Sequence, residues 1–240
     1  LIGFLPALTD YFKGDDDNLK YQAPHVYMNL GTFFAQENNP QQAYTFYNLA
    51  YQYMLENDKL GNMIEIEKLC LIRMAQAATA MQKASRTLEI VQVLEQLLSP
   101  KDTLCNILCS YQKGVAYLAL QQYDLAIDVF TNKMSLIRST LGVNHPYYLD
   151  FLNELGLAYL WDGKLNEAIA EFKEAISIAN STKQERNLYL YYHNLGRAVM
   201  LTNDKQNALK LLKISEKFQK ELFGKVMDNT TNYISECMKQ

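Results

Sequence analysis

Apolar residues recur along the chain at the spacing of one helix face, and short polar turns separate the helical stretches. Residues 149–161 carry one such stripe, and residues 165–178 carry another. Asp162 and Gly163 lie between the two stripes as a turn dipeptide. The pattern therefore predicts two antiparallel helices joined by a tight turn.

The same arrangement recurs along the sequence at a nearly constant interval. Each copy begins with a small residue in the first helix, usually followed three positions later by an aromatic residue. A small residue and then a bulky apolar residue follow in the second helix. The first positions are Gly31, Ala75, Gly114, Gly156 and Gly196, in steps of 44, 39, 42 and 40 residues. Such a period is typical of a repeat protein whose units are pairs of helices.

The small residues indicate close packing within each helix pair. Glycine in a helix costs about 1 kcal/mol relative to alanine, so its recurrence in apolar helical stretches needs a reason. We expect Gly156 in the first helix and Ala168 in the second to remove side-chain bulk where the helices touch, with Phe172 and Tyr159 filling the space beside them. One pair cannot bury its apolar face alone, so the pairs are expected to stack.

These offsets resemble the tetratricopeptide repeat over about residues 24–217. The Leu-Gly pairs at 30–31, 155–156 and 195–196 match that repeat, whereas the third copy has Lys113 before its glycine and the second lacks the glycine. The segment LGVNHPYYLDFLNELGLAYLWDGKLNEAI is similar to the kinesin-light-chain-like subgroup, which has longer repeats of about 42 residues and a His-Pro pair before the first helix. HEAT-type repeats share the period but not these offsets.

The resemblance implies an all-α fold, a right-handed α-α superhelix of about five helix pairs with flanking helices at both ends. It is expected to form a single solenoid over residues 1–240. The predicted repeats are 24–60, 68–100, 107–142, 149–182 and 189–224. Residues 1–13 are expected to be the last helix of a preceding repeat, and residues 226–240 a closing helix or a truncated sixth repeat. Pro146 suits the first turn of a helix, and His145 is expected to shape the turn before it.

Composition narrows the choice of partners. The formal net charge is −3, from 23 basic and 26 acidic residues, which argues against nucleic acid or an anionic membrane as partner. No apolar run approaches the roughly 20 residues of a membrane helix. The expected partner is a protein or an extended peptide, and the expected location is the cytoplasm. Because the sequence begins with Leu1 rather than Met, we expect it to be a fragment, with further domains fused outside it.

Chemical motifs do not indicate an enzyme. HExxH, GxSxG, P-loop and GxGxxG patterns are missing from the sequence, and His25, His145 and His193 are widely spaced. Cys105 and Cys109 share a helix face but have no neighbouring histidine, so they are half of a metal site at best. Buried, unreactive thiols are the alternative. The sequence therefore predicts a non-enzymatic chain without cofactor or metal.

The resemblance implies that the first helices of the repeats line a concave groove. An amide side chain recurs just ahead of the repeat glycine, and an amide can both donate to and accept from the backbone of an extended peptide. The alternative is that these amides cap or bridge neighbouring helices. Arg73 and Arg197 are expected to pair with ligand carboxylates. The predicted binding residues are Asn29, Arg73, Gln112, Asn153, Asn194 and Arg197.

Two further questions stay open from the sequence alone. Trp161 ends a first helix, where it either edges the groove or covers the packing of the next repeat. The predicted function is a scaffold module that binds a protein or peptide in the groove. The alternative is a peptide-sensing regulatory domain of a larger signalling protein or transcription regulator.

Overall fold

A computed structural model of the chain describes residues 5–12, 17–57 and 63–239. Within these ranges all regular structure is helical and no strand occurs, so the predicted all-α class is confirmed. The α-helices are α1 (Leu5–Tyr11), α2 (Asp17–Gln36), α3 (Pro40–Glu56), α4 (Ile64–Ala80), α5 (Ala84–Leu97), α6 (Thr103–Ala119), α7 (Tyr123–Thr140), α8 (Pro146–Trp161), α9 (Leu165–Thr182), α10 (Leu188–Leu201), α11 (Lys205–Phe223) and α12 (Asp228–Met238).

The chain divides into two compact units, residues 1–120 with α1 to α6 and residues 121–240 with α7 to α12. In the first unit, α2 packs against α3 and α4 against α5, and α3 and α5 also contact the first helix of the following pair. In the second unit, α8 packs against α9 and α10 against α11, while α7, α9 and α11 contact the next first helix. The single solenoid over residues 1–240 stays a prediction.

The helix bounds differ from the predicted repeats mainly at the start. Helix α2 begins at Asp17, before the predicted start at 24, and continues through Pro24. Helix α1 lies inside the predicted helix 1–13, of which residues 1–4 and 13 lie outside the described residues. Residues 58–60 of the first predicted repeat and residue 240 also lie outside the described residues.

Three of the repeat glycines each leave room for one large side chain of the second helix in the same pair. A Cβ atom at Gly156 would lie 2.6 Å from Cε1 of Phe172, and its three nearest atoms would all belong to that ring. Phe172 is fully buried. The glycine therefore makes room for the Phe172 ring, one of the two side chains that the sequence predicts beside it. The partner stands 16 positions after the glycine in all three cases: Gly31 with Tyr47, Gly156 with Phe172, and Gly196 with Leu212.

The turn after each first helix contains one residue with a left-handed backbone. This residue stands seven positions after the repeat's first position in every copy. Only the fourth copy uses glycine, which adopts this conformation without a steric penalty. The other copies use Asn or Gln, which raises the conformational cost of the turn. The residues and their φ angles are Asn38 at 55°, Gln82 at 59°, Gln121 at 60°, Gly163 at 79° and Asn203 at 68°.

The His-Pro pair opens α8 as predicted. Pro146 is the first residue of the helix, where its missing N–H leaves no hydrogen bond unmade. His145 Nδ1 accepts a hydrogen bond from the backbone N–H of Tyr147 at 3.2 Å. The imidazole therefore caps the first turn of α8.

We expect Gly156→Ala to lower the free energy of unfolding by about 1–3 kcal/mol, because the added methyl group would press on the buried Phe172 ring. In an exposed helix the same change would stabilise by about 1 kcal/mol, so the sign separates the two effects. Urea denaturation of the single variants and of Gly156→Ala with Phe172→Leu measures this. The smaller second residue should reduce the cost of the alanine. A Gly156→Ala chain at least as stable as the parent would contradict the contact.

Candidate functional site

Helix α8 keeps one face partly open to solvent. Asp150, Glu154, Leu157 and Trp161 follow the i, i+4, i+7, i+11 spacing of a single helical stripe, and each is partly or largely exposed. We call this row the α8 stripe. Trp161 is 52% exposed, which is unusual for so large an apolar side chain. The stripe thus has two carboxylates at one end and an indole ring at the other.

The neighbouring first helix contributes a cation to the tryptophan end of the α8 stripe. The guanidinium carbon of Arg197 on α10 lies 4.7 Å from the centre of the Trp161 ring and 5.3 Å from that of the Tyr233 ring on α12. In the part of the chain that the structure describes, no carboxylate forms an ion pair with Arg197. Trp161 therefore contacts the next repeat and stays exposed, which combines both sequence-based alternatives.

The two predicted asparagines of this unit bind each other. Asn194 donates its Nδ2 proton to Oδ1 of Asn153 at 2.9 Å, and each residue is 2% exposed. Asn153 in turn donates to Oε1 of Glu154 at 3.1 Å. The amides therefore bridge α8 and α10, which is the alternative that the sequence left open. Asn194 directly precedes Leu195, as Glu154 precedes Leu155, so the position equivalent to Asn194 is Glu154 and not Asn153.

A second polar bridge repeats this arrangement one step further along the chain. His193 occupies the position of Asn153 in the next repeat, and its Nδ1 lies 2.9 Å from the hydroxyl of Thr230 on α12. That hydroxyl also accepts a hydrogen bond from Nε2 of Gln219 on α11 at 2.8 Å. Burial, helped by the charge of Arg197, lowers the pKa of His193 to about 4, so the ring is neutral at physiological pH. These partners were not predictable from the sequence, because they lie far apart along it.

Of the predicted binding residues in the first unit, one is buried and two are exposed. Gln112 is buried, and its Oε1 accepts a hydrogen bond from the Thr79 hydroxyl at 2.8 Å. Asn29 and Arg73 are exposed, and Arg73 donates to Oε1 of Gln76 at 3.2 Å. Arg73 also lines a cleft of about 140 Å³. The cleft is otherwise lined by Ala35, Asn38, Pro40, Ala43, Tyr47, Gln76, Ala77 and Ala80.

The two carboxyl groups of the α8 stripe lie in surroundings that disfavour their ionised form. Burial raises the pKa of Glu154 to about 7, and the negative charge of Asp150 adds to the rise, while the hydrogen bond from Asn153 opposes it. Burial also raises the pKa of Asp150. Among the described ion pairs, none includes either carboxylate. Carboxylates desolvated without a cation mark candidate binding positions.

Asp150 also lines a cavity of about 570 Å³. Tyr191 of α10 and the segment between α9 and α10 form other parts of its wall. The cavity was not predictable from the sequence because its walls come from three separate segments. The lining residues are Pro146, Leu149, Asp150, Lys183, Gln184, Glu185, Arg186, Asn187 and Tyr191.

The described residues form neither a metal site nor a membrane-spanning helix. Across residues 5–12, 17–57 and 63–239, no three His, Cys, Asp or Glu side chains are grouped as a metal site would require. Cys109 is buried and Cys105 half-buried. No helix in the described ranges is both long enough and apolar enough to cross a membrane.

The sequence of residues 106–181 matches the family model of the tetratricopeptide repeat. This segment covers the third and fourth predicted repeats. No curated protein matches the chain.

Several solved structures share the fold at low sequence identity. A Podosopora anserina kinesin light chain with nearly identical TPR-like repeats has a TM-score of 0.62 at 20% identity, covering 83% of this chain and 96% of that one. BtubC (BKLC) from P. vanneervenii has a TM-score of 0.70 at 13% identity, covering 89% of this chain and 86% of that one. Bacillus thuringiensis PlcR, solved in complex with the peptide PapR7 and DNA, has a TM-score of 0.66 at 13% identity, covering 90% and 74%.

The family match and these structures confirm the resemblance drawn from the sequence. Residues 106–181 match the tetratricopeptide repeat model, and the fold is similar to that of solved structures with TPR-like repeats. The chain has the helical-pair fold of those structures.

We expect Asn153→Ala and Asn194→Ala each to lower the free energy of unfolding by about 1–3 kcal/mol, because each leaves a buried amide without its partner. The double variant should lose less than the sum, with a coupling energy of about 0.5–3 kcal/mol. Urea denaturation of the four chains gives this coupling. Asn166→Ala, at an exposed position of α9, is the control and should change little. Additive losses would show that the amides do not act as a pair.

Glu154→Gln should stabilise the chain at alkaline pH and not at acidic pH. The folded pKa of Glu154, about 7, lies above its ordinary value of 4.5, so the folded chain binds this proton more tightly than the unfolded chain. Stability from this group is therefore full below pH 4.5 and is lost as pH rises towards 7. Glutamine stays neutral and keeps an oxygen for Asn153. We expect a gain of about 1–2 kcal/mol at pH 8 and almost none at pH 4.5.

Urea denaturation at the two pH values measures the difference. Glu167→Gln removes an exposed carboxylate of α9 and serves as the control. Its effect should not vary with pH. A Glu154→Gln effect that is equally independent of pH would show that Glu154 is not desolvated in the folded chain.

Proposed function

We propose that this tetratricopeptide repeat protein is a non-enzymatic binding module, which holds an extended segment of a partner protein against the exposed faces of its first helices. The proposal uses the surface that remains after helix packing is satisfied. In the second unit, that surface is the α8 stripe with Arg197 beside it.

The pair of Trp161 and Arg197 carries the proposal. A half-exposed indole with a guanidinium stacked on it offers apolar area and unused hydrogen-bond donors at one place. Tryptophan and arginine are the side chains that most often dominate binding energy at protein interfaces. Arg197 is already ordered by two aromatic rings, so little side-chain entropy remains to be lost when a ligand binds.

The predicted binding residues take two roles in this proposal. Asn29, Arg73 and Arg197 are exposed or half-exposed and would contact the ligand directly. Gln112, Asn153 and Asn194 are buried by contacts within their units and would hold the first helices in place. In the first unit, the Arg73 cleft is the corresponding surface.

The solved structures support peptide binding by precedent. PlcR is described in complex with the peptide PapR7, although the likeness at 13% identity concerns the fold alone. The same structure favours the second candidate, a peptide-sensing regulatory domain of a larger protein. Small-angle X-ray scattering with and without a bound peptide separates the two candidates. A regulatory domain should change its dimensions on binding, and a scaffold should not.

A direct test uses random twelve-residue peptides displayed on phage and selected on the whole chain. Because Trp161 is the single tryptophan, its fluorescence reports peptide binding at this surface. We expect Arg197→Ala to weaken the best selected peptide by about five- to tenfold, equivalent to roughly 1 kcal/mol or slightly more. Lys213→Ala removes one positive charge from the exposed face of α11 and should leave the affinity unchanged.

Two results would count against this proposal. One is that no peptide is enriched on the folded chain. The other is that selected peptides bind without changing Trp161 emission and are insensitive to Arg197→Ala. Melting curves recorded in parallel show whether each variant is folded.

A further inference from the structure

Arg197 lies at the tryptophan end of the α8 stripe. Its guanidinium carbon is 4.7 Å from the centre of the Trp161 ring and 5.3 Å from that of the Tyr233 ring. Among the described residues no acidic side chain forms an ion pair with it. The N–H groups at the edge of a guanidinium form a planar fork that matches the two oxygens of a carboxylate. Arg197 is thus arranged to receive an acidic group.

The other end of the α8 stripe presents the opposite charge. Asp150 and Glu154 lie one helical turn apart and have no basic partner in the described ion pairs. Lys183 and Arg186 line the cavity beside Asp150 but do not pair with it there. Removing a carboxylate from water is costly unless a cation compensates, and no ion pair among the described residues includes either of these two. Charge complementarity therefore favours a basic group here.

The separation of the two ends follows from helix geometry. Glu154 and Trp161 are seven residues apart on α8, which corresponds to about 10 Å along the helix axis. An extended chain covers about 3.3–3.6 Å per residue, so three residues span the same distance. A single extended segment can therefore place one charge at each end of the α8 stripe.

We infer that the second unit binds a segment of a partner protein that carries a basic and an acidic side chain about three positions apart. The basic group lies against Asp150 and Glu154, and the acidic group lies against the edge of Arg197. This inference rests on the proposed function and adds the chemistry of the ligand. If all charged side chains of the segment had the same sign, one end of the α8 stripe would repel it.

The raised pKa of Glu154 gives the binding a pH dependence. Other titratable groups that face this pair are His145 beside Asp150 and Tyr191 from α10, and Tyr191 stays protonated because burial raises its pKa to about 12. Only ionised Glu154 attracts a basic group. Affinity should therefore rise about three- to tenfold between pH 6 and 8 and be much flatter in Glu154→Gln.

The experiment compares peptides selected by phage display on three chains: the parent, Glu154→Gln and Arg197→Gln. On the parent, we expect enrichment of peptides with Lys or Arg about three positions from Asp or Glu. Glu154→Gln should lose the enrichment for basic residues and keep that for acidic residues. Arg197→Gln should lose the enrichment for acidic residues and keep that for basic residues. Glutamine at position 154 keeps an oxygen for Asn153, and glutamine at position 197 keeps two N–H donors without the charge. Melting curves should confirm that both variant chains are folded.

The outcomes separate this inference from the proposed function. Peptides enriched on the parent with no charge preference, or with a preference unaffected by both variants, would overturn the inference and leave the binding module in place. Failure to enrich any peptide on the folded parent would overturn both. A pH profile that is equally steep in the parent and in Glu154→Gln would remove Glu154 from the basic subsite.

Discussion

The close approach of two helices within a repeat is the contact on which the remaining structure depends. In three repeats, a glycine of the first helix lies against a large buried side chain of the second, and the space between them would not hold one methyl group. This contact fixes the spacing of the pair, and with it the positions of the residues that pack on the next pair. Since the face of each first helix left open to solvent is what remains after this packing, the α8 stripe is a consequence of the same contact.

The sequence predicted the fold well because its signals are local and periodic. The repeat positions, the turn at Asp162 and Gly163, and the cap formed by His145 all depend on residues within a few positions of each other. The sequence predicted Phe172 beside Gly156, but its offsets do not show which atoms lie nearest to the glycine, and the Phe172 ring supplies the three nearest. Helix α2 begins at Asp17, before the predicted repeat start at 24, because the repeat pattern does not show how far a helix extends beyond it.

The candidate site was predicted only in part, for a different physical reason. Whether an amide binds a ligand or a neighbouring helix depends on the residue opposite, which the sequence does not place. Asn153 finds Asn194, and Gln112 finds Thr79, so both are buried. Glu154 stands directly before Leu155, as Asn194 stands before Leu195, but the predicted binding set was chosen for amides and arginines and therefore leaves this carboxylate out.

The polar docking of α12 has a calorimetric consequence. The contact of this helix with α10 and α11 includes the buried bridge of Thr230, Gln219 and His193 beside a small apolar cluster that contains Cys237, Tyr233 and Ile234. Exposure of apolar surface raises the heat capacity, and exposure of polar surface lowers it. When α12 unfolds locally, the polar bridge should therefore offset part of the heat-capacity change that the apolar cluster contributes. A scanning calorimeter would record mainly the melting of the repeats, whereas amide hydrogen exchange would detect the opening of the last helix separately.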